Sequence, residues 1–307
     1  MGAPTFYHTS VLLNESVEGL AIKEDGIYID ATFGGGGHSR AILQKLGPNG
    51  KLFAFDQDAD AWKNKPDDSR LVPVTENFRH MRRFLRLHGV REVDGVLADL
   101  GVSSFQFDTA ERGFSIRFDG PLDMRMDKRQ PLTAEAVLKT YSELQLQKLF
   151  EQYGEVRNAK QLAKQIVSQR GRVALNSIET LKAVMAPVMR GNPMKYLAQV
   201  FQALRIEVND EMGALKDMLQ DAAALLKPGG RLSVITFHSL EDRVVKQFIK
   251  KGNWDEAETN LSMAPDAEPV RWILKQVTAK PIEPAEQEIK NNSRARSARL
   301  RIAEKIA

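Results

Sequence analysis

The chain has 307 residues, no cysteine, 27% charged residues and a formal net charge of +4. Without cysteine it has no disulfide, thiolate metal site or cysteine nucleophile, so a reducing cytoplasm is the expected location. No apolar run is long enough to span a bilayer, and MGAPTFYHTS lacks the basic and apolar regions of a signal peptide, so neither export nor a membrane partner is expected.

In chain order, Val11 to Leu13 read as buried and Asn14 to Leu20 as a short helix. Tyr7 and His8 are placed to reach a substrate or to form part of a packed N-terminal lid. Next come a β-rich run at Ile27 to Ala31, glycines from Gly34 to Gly37, helical character from His38 to Leu46, and an apolar run from Lys51 to Phe55 ending in Asp56. This strand, glycine loop, helix, strand and acid form half of a nucleotide-binding α/β unit. Glycines let the backbone approach a ligand, the helix start offers open N–H groups, and the acid accepts both hydroxyls of a ribose.

Two cofactors suit this stretch, beside a purely structural turn. A dinucleotide fingerprint laid on Gly34 and Gly36 puts its third glycine at Ser39, or at Arg40 when moved one place, which weakens the pyrophosphate reading. S-adenosyl-L-methionine has no phosphate and needs the loop for its methionine part and Asp56 for its ribose.

Asp58 to Lys65 reads as a short helix and Leu71 to Val74 as the third strand. Phe78, just beyond it, is placed to stack on an adenine or to plug a helix against the sheet. Val93 to Leu97 is the fourth strand, and Asp99 stands at its carboxyl end, where α/β sheets meet their ligands. Ser103, Ser104 and Gln106 continue over the crevice. The segment RGFSIRFDGPLDMRMD is too varied for a linker and reads as an ordered loop over a site.

From about 132 to 190 the pattern is helical, with helices opening near Thr133, at Ser142, at Asn158 and at Ser177. A helical domain inserted between the fourth and fifth strands is the simplest account: residues 111–197 form the ordered loop and insert, and residues 1–110 and 198–307 the α/β domain. A long helical segment from Leu197 past Leu219 buries Phe201, Leu204 and Val208, with Gln202, Arg205 and Asn209 on a neighbouring polar stripe. Leu232 to Phe237 is the fifth strand, His238 stands at its tip, and Ser239 reads as a helix cap with Asp242. A variable loop follows from Lys250 to Pro269, then a late strand from Arg271 to Thr278 and a basic tail. Three runs carry five Lys or Arg each and no acid: Arg79 to Arg91, Arg157 to Arg172 and Lys290 to Arg301. Each is a candidate phosphate-facing surface or a solvated helix face.

The blocks YIDATFGGGGHS, DLGVSSFQFDTAERGFSIRFDGPLDMRMD, FQALRIEVNDE, LKPGGRLSVITFHSLEDRVVK and RARSARLRIAE span almost the whole chain and are far more specific than a glycine loop. Together they resemble the bacterial family of 16S ribosomal RNA cytosine-N4 methyltransferases. The resemblance implies a class I, Rossmann-like α/β methyltransferase fold with an inserted all-helical domain. It implies S-adenosyl-L-methionine as cofactor, and 16S rRNA, within the small ribosomal subunit, as partner and substrate. Carried over residue by residue, its cofactor contacts fall on Gly36, Gly37, His38, Asp56, Phe78, Asp99 and Gln106, beside Gly34 from the loop reading. Where the family often has an arginine before FQA this chain has Gln199, so an RNA contact there would pass to Lys195 or another residue.

An exocyclic cytosine amine is a poor nucleophile, so the site must hold it in line and accept its hydrogens as charge builds. Asp99, followed by Leu100-Gly101-Val102, is placed for that role or for the cofactor. The absence of cysteine excludes carbon-5 methylation through a cysteine adduct. Further catalytic candidates are His238, to orient the base or take a proton unless it caps a helix, and Arg205 and Asn209, to hold phosphate or base unless Arg205 pairs with Glu207 or another acid. Arg112, Phe114 and Asp123 are candidates to grip a nucleotide lifted from its stack. Arg157 to Arg172 and the tail arginines Arg294, Arg296, Arg299 and Arg301 are expected on the RNA backbone. No metal cluster is expected, and a homodimer is left open. Competing readings are a methyltransferase for another RNA or a protein amine, an NAD-dependent oxidoreductase, and a non-catalytic ribosome assembly factor.

Overall fold

A computed structural model describes residues 10–252 and 274–306. It divides into two compact units, Met1–Gly101 with Gly213–Ala307, and Val102–Met212. Tyr7, His8, most of the loop from Lys250 to Pro269 and the start of the late strand lie outside the described residues.

The first unit is built on a seven-stranded sheet in the order β3-β2-β1-β4-β5-β7-β6. Its strands are β1 Ile27–Asp30, β2 Lys51–Phe55, β3 Leu71–Val74, β4 Val93–Asp99, β5 Leu226–Thr236, β6 Leu274–Gln276 and β7 Arg299–Lys305. The first five are parallel, and β7 runs antiparallel to both β5 and β6. This is the expected Rossmann-like α/β fold. The order reverses between β1 and β4, so the ends of those strands open the crevice where such sheets bind ligands. β4 is buried along nearly its whole length, as a parallel strand covered on both faces must be.

Two sequence expectations change here. The long helix from Leu197 is broken: Asp210 takes a left-handed conformation (φ 46°) and separates α9, Pro193–Asn209, from α10, Glu211–Leu225. The basic tail is not a free arm, because its last part is β7, where Leu300, Ile302 and Ala303 are buried. Arg301 is buried with them and binds Asp242 through Nε (2.7 Å) and Nη2 (3.0 Å), and Arg299 lies 3.4 Å from the same carboxylate. These two arginines tie β7 to Asp242, which removes the buried Arg301 from the candidates for gripping RNA; Arg296 is exposed.

The second unit contains α4 Ser104–Asp108, α5 Ala134–Thr140, α6 Glu143–Gln152, α7 Ala159–Gln169, α8 Ile178–Met185 and α9. Ser142 with Gln145 and Ser177 with Thr180 form capping boxes that satisfy the first N–H groups of α6 and α8. Its core is its own: Leu146, Leu149 and Phe150 of α6, Leu162 and Ile166 of α7 and Val200, Phe201 and Leu204 of α9 belong to one cluster. Val102 and Phe107 pack against that cluster, so the boundaries expected at 110/111 and 197/198 fall inside this unit: α4 and α9 bury their apolar faces here. The segment from Gly113 to Asp127 is ordered by backbone bonds such as Ile178 N to Gly120 O and Met124 N to Arg112 O. No helix among the described residues is long and apolar enough to cross a membrane.

Candidate active site

Four strand tips of the first unit supply the candidate cofactor site. Behind β1 the chain turns through the glycines into α2, Gly37–Lys45. Gly36 caps that helix at φ 76° with no side-chain cap hydrogen bond. A Cβ on Gly37 would lie 2.0 Å from Ser10 Oγ, so any larger residue there would have to displace the Ser10 hydroxyl. Gly34 donates its N–H to Asp56 Oδ2 at 2.8 Å, and Asp58 N donates to Asp56 Oδ1 at 2.8 Å. The glycine loop and the acid beyond β2 are therefore one hydrogen-bonded unit. Burial pushes the Asp56 carboxyl up to about 7, against the two N–H bonds that favour its ionised form.

Phe78 follows β3, half-buried, in a turn whose cap Asn77 accepts from Arg79 N and donates to Gln57 Oε1 at 2.9 Å. That bond ties the aromatic loop to the residue after Asp56. Asp99 ends β4, and its N–H donates to Thr32 Oγ1 at 2.6 Å. Asp99 Oδ1 is shielded from solvent and has no hydrogen-bond partner. Burial, then the neighbouring Asp30, Glu241 and Glu288 carboxylates, raises its pKa well above the usual range. His38 is buried, and its Nε2 lies 3.2 Å from Val11 O, which selects the Nε2–H tautomer and turns Nδ1 toward Asp99 Oδ2 at 3.8 Å. Burial lowers the His38 pKa to about 4, so the ring is neutral at pH 7 and the contact is not an ion pair.

Asp30, which the sequence reading did not single out, completes this carboxylate set. It ends β1 fully buried, accepts from Ser39 Oγ (2.6 Å) and Thr32 N (3.1 Å), and burial raises its pKa to about 6. Its signal lay in a recurrence: Ile29-Asp30, Phe55-Asp56 and Ala98-Asp99 each close a parallel strand with an apolar residue and an aspartate. These residues fit S-adenosyl-L-methionine. Asp56 can take a diol, the bare glycine turn gives a close backbone approach, and the unpartnered Asp99 Oδ1 beside Asp30 suits an ammonium group.

The other candidates are held in local structure. His238 is the N-cap of α11, Ser239–Lys251; its Nδ1 accepts from Glu241 N at 3.4 Å, while Glu241 Oε2 accepts from Phe237 N at 2.8 Å. The cap thus falls one residue before the expected Ser239. His238 Nε2 is 3.0 Å from Glu241 Oε1, off the direction of a hydrogen bond. Helix capping engages Nδ1 of this ring, and Nε2 is buried without a hydrogen-bond partner.

In the second unit, Asn209 is buried with both ends of its amide committed: Oδ1 accepts from Met126 N (2.7 Å), and Nδ2 donates to Met124 O (2.8 Å) and Arg205 O (2.9 Å). It pins the 124–126 loop and spends both of its N–H groups there, so a phosphate would find no donor on it. Arg205 makes a two-point bond to Glu211, through Nε at 2.8 Å and Nη2 at 3.0 Å, while Glu207 takes the Tyr141 hydroxyl at 2.6 Å. Arg112 is buried and donates to the Arg125 and Met126 carbonyls. Asp123 binds Arg125 by two side-chain bonds of 2.8 Å. Both fold their own loop. Gln106 is buried in α4, where its Oε1 accepts from Ser103 N at 3.0 Å in a capping box. Gln199 donates to Glu155 O. Of the insert's basic run, Arg170 donates to the Leu138 and Tyr141 carbonyls, whereas Arg157, Lys160, Lys164 and Arg172 are exposed.

Residues 5–306 match the family model described as the MraW methylase family. Proteins named ribosomal RNA small subunit methyltransferase H are similar over nearly their whole length. That of Flavobacterium johnsoniae is 52% identical over 301 residues, covering 98% of each chain. That of Christiangramia forsetii is 51% identical over 301 residues, again 98% of each. The one from Bacteroides thetaiotaomicron is 52% identical over 301 residues, 97% of each. A match of this extent, on a chain whose sheet order and strand-tip acids are those of a nucleotide-type crevice, identifies it: the chain belongs to the MraW methylase family.

Proposed function

We propose that the chain transfers a methyl group from S-adenosyl-L-methionine to the exocyclic N4 of a cytosine in the decoding region of 16S rRNA, acting on the small ribosomal subunit. The observation that carries this reading is the set of aspartates at adjacent strand tips around a bare glycine turn, in a chain about half identical to ribosomal RNA small subunit methyltransferases.

The cofactor would supply an electrophilic methyl on a sulfonium. Asp56 accepts the ribose hydroxyls, with its geometry fixed by the Gly34 and Asp58 amides. Gly36 and Gly37 admit the ligand close to the backbone, and Phe78 stacks on the base. His38, neutral and anchored on Val11, holds the Asp99 side of the crevice without adding positive charge there. Asp99 is the acceptor for the ammonium of the donor or for an N4 hydrogen; either partner favours its ionised form, which burial disfavours alone. Gln106 stays a candidate cofactor contact on the strength of the family resemblance.

On the RNA side, Lys160 and Lys164 lie one turn apart on the outer face of α7, and Arg190 reaches the same face by donating to Gln161 Oε1 at 2.9 Å. With Arg157 and Arg172 they offer a basic surface suited to phosphates, which fixes position without reading sequence. The deciding experiment incubates the protein and labelled S-adenosyl-L-methionine with naked rRNA and with small subunits from a strain lacking the enzyme, and maps the labelled nucleotide. Label on a cytosine N4 of the decoding region is expected; label elsewhere, or none with a folded protein, overturns the reading.

A further inference from the structure

Of the three basic runs in the sequence, Arg79 to Arg91 has no role above. Within the first unit its residues Arg82, Arg86, Gly89 and Arg91, together with Ala224 and Leu225, line a cavity of about 560 Å³. Arg82 and Arg86 stand one turn apart on α3, Met81–Leu87. Gly89, left-handed at φ 73°, ends that helix, and Val90 N closes back on Leu85 O at 2.9 Å. The turn brings Arg91 to the cavity just before β4 begins. Ala224 and Leu225 end α10 just before β5, and Val93 pairs with Leu226 where the two strands start. The cavity therefore lies at the amino ends of β4 and β5, whereas Asp99 stands at the carboxyl end of β4. The seven residues of that strand put about 20 Å between them.

The charge of this cavity is not spent on the fold. Arg79, at the start of the run, is bound by Asp217 through Nε at 2.9 Å and Nη2 at 2.6 Å. Arg82, Arg86 and Arg91 are exposed, and among the described residues their guanidinium groups make no hydrogen bond or ion pair. Asp221 accepts from the Arg82 backbone N–H at 3.4 Å and feels the charges of Arg82 and Arg86, yet burial still raises its carboxyl above the ordinary value. One acid thus stands against three guanidinium groups. Helix electrostatics do not account for them either. A cation suits the last turn of a helix, where Arg86 is, but Arg82 sits in the first turn of α3, where the dipole favours an acid and none is present.

We propose that this cavity is a second docking site for the small ribosomal subunit, gripping the phosphate backbone of an rRNA segment other than the one that carries the target cytosine. Guanidinium forks match phosphate oxygens, and the lining offers no aromatic ring to a base and no acid to a ribose, so the site suits backbone rather than a free nucleotide and reads no sequence. The separation from Asp99 sets the kinetic consequence. Phosphates held at the far end of the sheet lower KM for the subunit and leave donor affinity and the chemical step alone. The proposal rests on 16S rRNA being the substrate, as proposed above, and not on which atom is methylated.

The test uses the full chain and purified small subunits, and compares wild type with two triple variants: Arg82→Gln, Arg86→Gln and Arg91→Gln together, and Arg82→Lys, Arg86→Lys and Arg91→Lys together. The glutamine variant should bind subunits more weakly and flatten the salt dependence by about two to three units of slope, a little under one per phosphate contact. Its KM for subunits should rise, with kcat, calorimetric affinity for S-adenosyl-L-methionine and circular dichroism unchanged. The lysine variant keeps the charge and should keep the slope. A photoreactive group introduced at Leu87, 72% exposed on the same helix, should cross-link to rRNA at a segment separate from the methylated nucleotide. A wild-type slope in the glutamine variant would make the cavity a solvated face and overturn the proposal. Cross-links to ribosomal protein alone would overturn it too, as would inorganic triphosphate raising the wild-type melting temperature while leaving subunit binding untouched. A wild-type protein that does not bind subunits at all would remove the rRNA reading itself, a result distinct from any difference between variants.

Discussion

The two units treat their polar residues differently. In the α/β unit, Asp30, Asp56 and Asp99 stand at or just beyond strand tips; Asp30 and Asp56 accept local hydrogen bonds there, and Asp99 Oδ1 is left with no partner. In the helical unit, Asn209, Arg205, Arg112 and Asp123 are consumed by the loops and helix ends they stabilise. A sheet tip delivers a side chain to a ligand; an irregular insert needs its polar side chains to hold its own shape. In that unit the side chains that face solvent are cations such as Lys160 and Lys164, while the buried polar residues that a sequence motif makes prominent are engaged within the fold.

Several substitutions would break or sharpen that contrast. The largest effect is expected at Arg301, where a basic tail residue has become structural. Arg301→Ala leaves the buried Asp242 with only Arg299, 3.4 Å away, and should cost up to about 3–5 kcal/mol in thermal or denaturant unfolding, whereas Arg296→Ala should cost next to nothing. Equal, small losses at both would return the tail to the RNA-binding candidates. Next, Asp56→Ala removes the acceptor of two backbone N–H groups and of the ribose. It should weaken S-adenosyl-L-methionine about a hundredfold by calorimetry, the loss of roughly two charge-assisted hydrogen bonds, with circular dichroism unchanged.

Asn209→Ala is the counterpart in the helical unit. It leaves Met126 N–H and Met124 O buried without their partner and should lower stability by about 1–3 kcal/mol while leaving cofactor affinity intact. A loss of turnover with no loss of stability would restore Asn209 to the catalytic group. Smaller again is the double reversal Lys160→Glu with Lys164→Glu. It should weaken subunit binding and flatten its salt dependence by about two units of slope, one per phosphate contact, with cofactor affinity unaltered. An unchanged slope would make α7 an ordinary solvated face.

How much of this was legible in the sequence follows the same division. The strand, glycine, helix and acid pattern gave β1, α2, β2 and Asp56 because alternating apolar runs and a glycine turn are local signals. β7 was hidden: Leu300 and Ile302 alternate with arginines, and the net positive charge masked the strand period. The break at Asp210 was hidden as well, since the apolar stripe continues across it and only the backbone turn interrupts the helix. The roles of Asn209 and Arg205 depend on partners such as Met124 and Met126, more than eighty residues away in sequence, and Glu211, whose choice no spacing rule specifies.

The smallest predicted effect is a pH dependence, and it separates the two units most sharply. Burial raises Asp56 to about 7 and Asp30 to about 6, while His38 falls to about 4 and stays neutral from pH 5 upward. A diol is bound best by the ionised Asp56, so cofactor affinity should climb as pH rises through about 7 and be roughly tenfold weaker at pH 6 than on its high-pH plateau, one unit below the titration point. The ligand-free protein should show the opposite trend. A carboxyl whose folded pKa lies above its unfolded value holds its proton more tightly when folded, so stability falls as pH rises from about 4 to about 7. Asp56→Asn removes the titrating group: the slope of cofactor affinity between pH 6 and 8 should shrink relative to wild type, and any slope that remains belongs to the ligand's own amine or to Asp30. The helical unit has no comparable raised carboxyl among the described residues; Asp123 and Asp127, held by Arg125 and Arg129, are shifted the other way despite burial. Wild type and Asp56→Asn with the same affinity profile across this range would mean that Asp56 meets the ligand already ionised, and that water in the crevice, not protein, sets its charge.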